Sequence, residues 1–157
     1  MLLKYLIVFL ISMVPILELR MAVPTALGMG LAVLPSYIVC IIGNMLPVPF
    51  IYFFARKFLN WGANKRYIGK ICVFFLQKGE RGGQKLVSAT GRGGIFVALM
   101  LFVGIPIPGT GAWTGTLAAS FLDLGFKTTV VAVSLGVIMA GIIMGVASTG
   151  VFSIIGL

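Results

Sequence analysis

Residues 128–147 read TTVVAVSLGVIMAGIIMGVA, and this run contains no charged side chain. About 20 apolar residues carry a helix across the hydrocarbon core of a bilayer, so the run predicts a membrane span. Leu31 to Ala55 meets the same test and predicts a second span. We therefore expect an all-α integral membrane protein.

The composition of the chain agrees with this class. Of 157 residues, 60% are hydrophobic and 10% charged, against roughly 45–50% and about 25% in soluble domains. The chain has no histidine and three carboxylates, which argues against an enzyme and against a metal site with several ligands. We expect no cofactor.

Basic residues cluster between Arg56 and Arg92, where nine of the twelve occur with Glu80 as their one acidic neighbour. The positive-inside rule places such a segment on the cytoplasmic side of a membrane, here the cytoplasmic membrane of a prokaryote. We expect contact with anionic lipid headgroups and no nucleic acid. Trp61 to Leu76 is predicted as an amphipathic surface helix, with a solvated connector carrying incidental aromatics as the alternative, and turns are predicted at 79–83 and 91–94.

This connector separates two apolar halves, residues 1–55 and 93–157, with the same order of parts. In each half an apolar run reaches a proline, a polar or small-residue stretch follows, and an uninterrupted span comes next. Each proline-broken segment is about 30 residues long, about 45 Å as one helix, and overshoots a core of about 30 Å. Each segment would instead form a re-entrant hairpin, in which two half-length helices are joined by a turn near residues 15–20 in the first segment and 106–111 in the second.

Re-entrant hairpins make the two halves inverted repeats, with both chain ends outside. Full crossings would give four spans, parallel repeats and both ends inside. Lys4 and Lys127 do not decide between these arrangements, because each arrangement leaves one of the two lysines on the wrong side. Segment length favours the re-entrant arrangement.

The first broken segment reads PILELRMAVP from Pro15 to Pro24 and places Glu18 and Arg20 in apolar surroundings. A charge at the centre of a span costs about 2.5–3.5 kcal/mol, so both side chains need compensation. In the functional interpretation Glu18 carries protons and Arg20 binds an anionic group such as phosphate. The alternatives are a structural ion pair that fixes the hairpin, or charges lying at the interface.

The second broken segment reads GIPIPGTGAWTG from Gly104 to Gly115. Its prolines end a helix, and a half-helix beginning near Gly109 would direct free amides at an anion. The plainer alternative is a kink with close packing. The candidate site residues in this segment are Pro106, Pro108, Gly109, Thr110, Gly111, Trp113 and Thr114.

Two further polar side chains lie near or within the spans. Asn44 lies mid-span before Pro47. It either lines a cavity shared with the two broken segments or makes an interhelical hydrogen bond. Asp123 is interpreted as an interfacial cap, with pairing to Arg20 left open. Glycine-rich helix faces predict a homodimer.

Three motifs together resemble the small multidrug export protein family. They are Glu18-Leu19-Arg20 with Ala22-Val23-Pro24, the stretch Gly43 to Pro49, and the stretch Ile105 to Gly115. That family is distantly similar to the DedA and VTT membrane proteins, which implies paired re-entrant hairpins and links to proton-dependent homeostasis, carrier-lipid recycling and lipid scrambling.

The leading hypothesis is a small transporter that exports an amphipathic or anionic molecule in a proton-coupled cycle. A flippase or scramblase for a lipid or lipid-phosphate carrier is the second hypothesis. A membrane scaffold without transport is the third.

Overall fold

The computed structural model of this chain describes residues 1–15, 17–65, 69–107 and 110–155. These residues form helices joined by short turns, with no strand among them, which confirms the all-helical class. The helices are α1 (Leu2–Met13), α2 (Glu18–Gly28), α3 (Val33–Met45), α4 (Pro47–Ala63), α5 (Gly69–Gly104), α6 (Ala112–Phe121) and α7 (Phe126–Ile155).

Both predicted spans are present as long apolar helices. Leu46 has helical backbone angles, so α3 and α4 continue as one helix of 31 residues from Val33 to Ala63, and an 18-residue window of this helix has a mean hydropathy of 2.0. The apolar part of α7, Phe126–Gly150, has 25 residues, and an 18-residue window of it has a mean hydropathy of 2.5. Phe50 and Val146 are each 70% exposed. Apolar faces of this extent suit lipid, so the protein is a membrane protein.

Glycines bring α3 and α7 into close contact. The Tyr37 hydroxyl donates to the Gly141 carbonyl at 2.8 Å, and a Cβ on Gly145 would overlap the Tyr37 side chain. These glycines therefore pack helices within one chain, and the homodimer stays a prediction.

Each proline-broken segment folds as two short helices that contact each other. α1 ends at Met13 and α2 begins at Glu18 beyond Pro15, while α5 ends at Gly104 and α6 begins beyond Pro106. Proline lacks the amide that helix continuation requires, which explains both breaks.

Polar contacts join the ends of these segments to their surroundings. The Lys4 ammonium at the start of α1 donates to the Met29 carbonyl just after α2 at 2.9 Å. Asp123, just after α6, forms an ion pair with Arg56 of α4. The open alternative that Asp123 pairs with Arg20 is therefore wrong. The Arg56 hydrogen bond, partly opposed by burial, lowers the pKa of the Asp123 carboxyl below its usual value.

The basic connector differs from the expectation in two places. The predicted surface helix at 61–76 is not one element: Trp61 belongs to α4, whose buried side chains continue to Gly62, and a new helix begins at Gly69. The predicted turn at 79–83 is wrong, because α5 stays helical there. The predicted turn at 91–94 is present as a kink at Gly91, where φ is 68°.

Candidate functional site

The Glu18 carboxylate caps the N-terminus of α6, 94 residues further along the chain. One oxygen accepts from the Ala112 amide at 3.2 Å and the other from the Trp113 amide at 3.1 Å. These are the first two amides of α6, and neither has a partner within its own helix. The partial positive charge of a helix N-terminus favours an anion in this position. Glu18 is 5% exposed, so in its ionised form it is a buried anion with two charge-assisted hydrogen bonds.

Two unusual backbone conformations make this contact possible. Gly111, the residue before α6, has φ 152° and ψ −171°, a region open essentially only to glycine. A Cβ at Gly111 would overlap the Glu18 carboxylate. Glu18 itself has φ 49°, which is rare for a residue with a side chain. The backbone is thus held in uncommon conformations on both sides of the contact.

Arg20 contacts the other end of the same break. Its guanidinium donates to the Ile107 carbonyl, to the Ile105 carbonyl at 3.2 Å, and to the Thr110 hydroxyl oxygen at 2.6 Å. The Thr110 hydroxyl lies 2.9 Å from both carbonyls and donates its one proton to either of them. Pro106 lies between the two isoleucines and helps to end α5. The Ile105 carbonyl also accepts from the Ile107 amide at 2.8 Å and the Ile107 carbonyl from the Thr110 amide at 3.1 Å, so Arg20 adds a charged donor to carbonyls that already have backbone partners.

Trp113 adds a third contact between the two segments. Its indole N–H donates to the carbonyl of Met13, the last residue of α1, at 3.1 Å. Thr114 takes no part: its side chain is exposed, and its hydroxyl lies 3.4 Å from the Gly111 carbonyl of its own turn. We call the contact region of Met13, Glu18 and Arg20 with residues 105–107 and 110–113 the junction.

Glu18 and Arg20 do not form an ion pair with each other in the described part of the chain. Both belong to the first turn of α2, where residues two apart point about 200° apart. Their side chains therefore contact different sides of the second segment, amides on one side and carbonyls on the other. The alternative of a structural ion pair between Glu18 and Arg20 does not match this arrangement.

Asn44 lies outside these direct contacts. It is 3% exposed, and its side-chain oxygen has no hydrogen-bond partner among the described residues. Pro108 and Gly109, which were also expected at the site, lie outside the described residues. The structure thus brings Glu18, Arg20 and most of the second motif into direct contact. Asn44 and Thr114 take no part in these hydrogen bonds.

The family described as "Putative small multi-drug export protein" matches residues 18–143 of this chain. The chain belongs to this family. Its match begins at Glu18 and includes the whole second broken segment, so the charged side chains of the junction and the backbone groups that they contact lie within it. No curated protein and no solved structure matches the chain.

Membership confirms the resemblance to the small multidrug export family and agrees with a protein that is not an enzyme. The wider similarity to DedA and VTT proteins stays a prediction. Sequence reasoning missed two polar contacts, the one at the Met13 carbonyl and the Arg56–Asp123 ion pair. It also missed buried Thr116, whose hydroxyl has no partner among the described residues. Only Asp123 gave a signal, as a lone acidic residue near the end of an apolar segment.

Proposed function

We propose that this family member is a proton-linked transporter of a small amphipathic molecule with an anionic group, exported across the cytoplasmic membrane of a prokaryote. One observation carries the proposal: the Glu18 carboxylate occupies the α6 amides that would otherwise bind an anion. A titratable group that fills an anion site from within the chain can make substrate binding depend on protonation.

The re-entrant arrangement is part of the proposal. Lys4 reaches Met29, so the start of α1 and the end of α2 lie together. Asp123 reaches Arg56, which begins the basic connector, so the second broken segment returns toward the side where that connector lies. A segment that crossed the membrane fully would end on the opposite side. Both contacts support hairpins that enter and leave on one side.

These hairpins would meet near the middle of the membrane. From the interfacial Asp123 back to the start of α6 there are about ten helical residues, or about 15 Å, half of a core of about 30 Å. α3–α4 and α7 then cross in opposite directions, as inverted repeats require. The junction is where hairpins from the two sides touch, which is a suitable place for a midplane site.

The proposed cycle depends on exchange at the α6 amides. When Glu18 is ionised, its carboxylate holds the Ala112 and Trp113 amides and excludes another anion. When Glu18 is protonated, its pull on the helix N-terminus weakens and a carboxylate, sulfonate or phosphate group can take its place. Arg20 keeps residues 105–110 in position and supplies positive charge beside the incoming group. The first transport intermediate is thus a protonated chain with a bound anion.

This exchange determines the sign of the coupling. Proton and anionic group bind together, so they move in the same direction. An anionic product that accumulates inside the cell would leave with a proton whenever its own gradient exceeds the opposing proton gradient. This agrees with the export function that the family description states.

Partners in the proposal are membrane lipids and a second copy of the chain. An open groove of about 470 Å³ on α5 is lined by Arg81, Gln84, Lys85, Ser88 and Ala89. Its two cations suit anionic headgroups on the cytoplasmic leaflet. The homodimer stays a prediction from the sequence, although Gly141 and Gly145 pack against Tyr37 within one chain.

The test uses vesicles with the reconstituted protein, loaded with naphthalene-2-sulfonate, taurocholate or phenyl phosphate, and with a trapped pH dye. We expect efflux of at least one anion together with protons, faster at acidic pH. Glu18→Gln should bind the anion without a pH response and lose the accompanying proton movement. Asp123→Asn is the matched control, because it removes a carboxylate outside the junction.

Two results would count against this function. Efflux with the same pH dependence in Glu18→Gln would exclude Glu18 as the coupling group. Movement of a labelled phospholipid without any gradient, with none of the three anions moving, would favour the lipid-scrambling hypothesis.

A further inference from the structure

α4 and α6 form a parallel seam that extends from the membrane surface to the junction. The Ser120 hydroxyl donates to the Tyr52 carbonyl at 2.8 Å, and about one turn further along both helices Asp123 pairs with Arg56. Partners therefore advance in the same direction on both helices. Because the two helices run parallel, residues at equal distances from the Tyr52–Ser120 contact lie at the same depth along the seam.

If the two helices stay parallel, the residues eight positions back from this hydrogen bond, about 12 Å along each helix, are Asn44 on one side and Ala112 on the other. Asn44, Val48 and Tyr52 are all buried, four residues apart. On α6, Ala112, Thr116 and Ser120 repeat the same spacing and are also buried. Residues at this spacing share one face of a helix, so the two sets line the seam.

Two polar atoms in this seam lack partners. Within the described part of the chain, the Asn44 side-chain oxygen and the Thr116 hydroxyl oxygen are buried with no hydrogen bond. Leaving a buried polar atom unsatisfied costs about 1–3 kcal/mol. Ser120, one turn from Thr116 on the same face, is satisfied by the Tyr52 carbonyl. The buried polar atoms without hydrogen-bond partners thus lie in the inner half of the seam.

The surroundings of these two atoms are rich in acceptors. Glu18 accepts from the Ala112 amide, which places its carboxylate at the N-terminus of α6, the end toward which the seam leads from Ser120. Pro47 has no amide to offer the Gly43 carbonyl, so a main-chain oxygen beside Asn44 loses its helical donor. The Arg20 guanidinium is directed to residues 105–110 instead. Oxygen atoms with one negative charge suit a small cation.

We propose that Asn44 and Thr116 form a monovalent cation site, of the size and charge of Na⁺, in the seam beside Glu18. A divalent ion is a poorer match, because Ca²⁺ and Mg²⁺ sites use more carboxylate charge than the single Glu18 supplies. Backbone carbonyls released from helical bonding are common ligands of a transported Na⁺, and the Gly43 carbonyl, which has no amide donor at Pro47, is such a group. The site deepens the proposed function, since a cation that needs the ionised carboxylate competes with the proton.

Binding of Na⁺ is measured without transport, as a thermal shift of the purified chain in mild detergent. NaCl is compared with choline chloride at equal ionic strength. We expect a saturable rise of about 5–10 °C when Na⁺ exceeds its Kd about 100-fold. Asn44→Leu and Thr116→Val should each raise the apparent Kd at least about tenfold. Ser120→Ala, on the same face of α6, should leave the Kd unchanged.

Equal melting temperatures in the two salts would overturn the site, as would an unchanged Kd in both Asn44→Leu and Thr116→Val. Asn44→Asp and Thr116→Ser keep an oxygen, so they should keep the shift even if the apolar variants fold poorly. Failure here is distinct from failure of the proposed function. If the chain binds no Na⁺ but Glu18→Gln loses proton-linked efflux, the cation site fails and the proposed function stands. If the chain binds Na⁺ but Glu18→Gln keeps its pH-dependent efflux, the proposed function fails and the cation site stands.

Discussion

The two proline-broken segments meet at the junction but bring different chemistry to it. The first contributes charged side chains, Glu18 and Arg20. The second contributes main-chain groups, the amides that begin α6 and the carbonyls that follow α5. A broken helix exposes donors at one end and acceptors at the other, so one acidic and one basic residue satisfy both. The second half therefore needs no carboxylate of its own.

This difference predicts different sensitivities. The first segment should respond to changes of side-chain charge, whereas the second should respond to changes of backbone conformation. The substitutions below test that contrast from the largest expected effect to the smallest.

Gly111→Ala should be the most damaging change in the second segment. It forces a Cβ into the Glu18 carboxylate and strains a φ of 152°. Strain of about 1–3 kcal/mol and the loss of charge-assisted hydrogen bonds should together destabilise the fold by at least about 3 kcal/mol. Thermal unfolding in mild detergent measures the loss.

Gly30→Ala is the matched control for that change. Gly30 also has a positive φ, 71°, but nothing lies within 4 Å of its added Cβ. It should show the strain alone. Equal losses in the two variants would mean that the Glu18 contact contributes nothing.

Arg20→Lys should have an intermediate effect in the first segment. Lysine keeps the charge but cannot span the Ile105 and Ile107 carbonyls and the Thr110 hydroxyl with one planar fork. We expect a loss of about 1–3 kcal/mol, with a larger loss for Arg20→Met, which removes the charged donor and leaves the two carbonyls with neutral donors alone. Unfolding curves measure both losses. If Arg20→Lys were as stable as the native chain, the geometry of the guanidinium would not matter and this prediction would be wrong.

Asp123→Asn should have the smallest effect. Its ion pair with Arg56 is about 40% exposed on both sides, with side-chain exposures of 38% and 43%, so it contributes less than about 1 kcal/mol. The Arg56 hydrogen bond lowers the folded-state pKa of Asp123, so its contribution is present above the usual value of 3.8 and is lost as pH falls through the folded value. Melting temperatures of the native chain and Asp123→Asn should differ at pH 7 and converge below pH 3.8. A difference in melting temperature that stays the same at every pH would contradict the ion pair between Asp123 and Arg56.

Much of the fold could be predicted because long apolar runs allow few interpretations. Residues 128–147 and Leu31–Ala55 indicated the spans through hydropathy alone, and prolines indicated where the broken segments end their helices. The turn at 79–83 was wrong because glycines weaken a helix by only about 1 kcal/mol each and do not have to end it.

Partner choice at the site was out of reach of the sequence. Glu18 was identified as an unusual buried charge, yet its partners are backbone amides 94 and 95 residues away, and amides carry no residue identity. For Asp123 only pairing with Arg20 was left open, and the packing of α4 against α6 pairs it with Arg56 instead. The hydroxyl of Thr116 is ordinary in sequence and becomes notable only when its burial without a partner is seen.

The central claim is that protonation of Glu18 loosens its hold on α6, and Trp113 reports this directly. The chain has two tryptophans, so Trp61→Phe leaves Trp113 as the only indole. In that background we predict a reversible change in Trp113 emission on acidification, because the Trp113 amide and indole both belong to the junction. Glu18→Gln should show no titration, and Asp123→Asn should titrate like its parent. Emission that ignores pH, or that titrates equally in Glu18→Gln, would contradict the account.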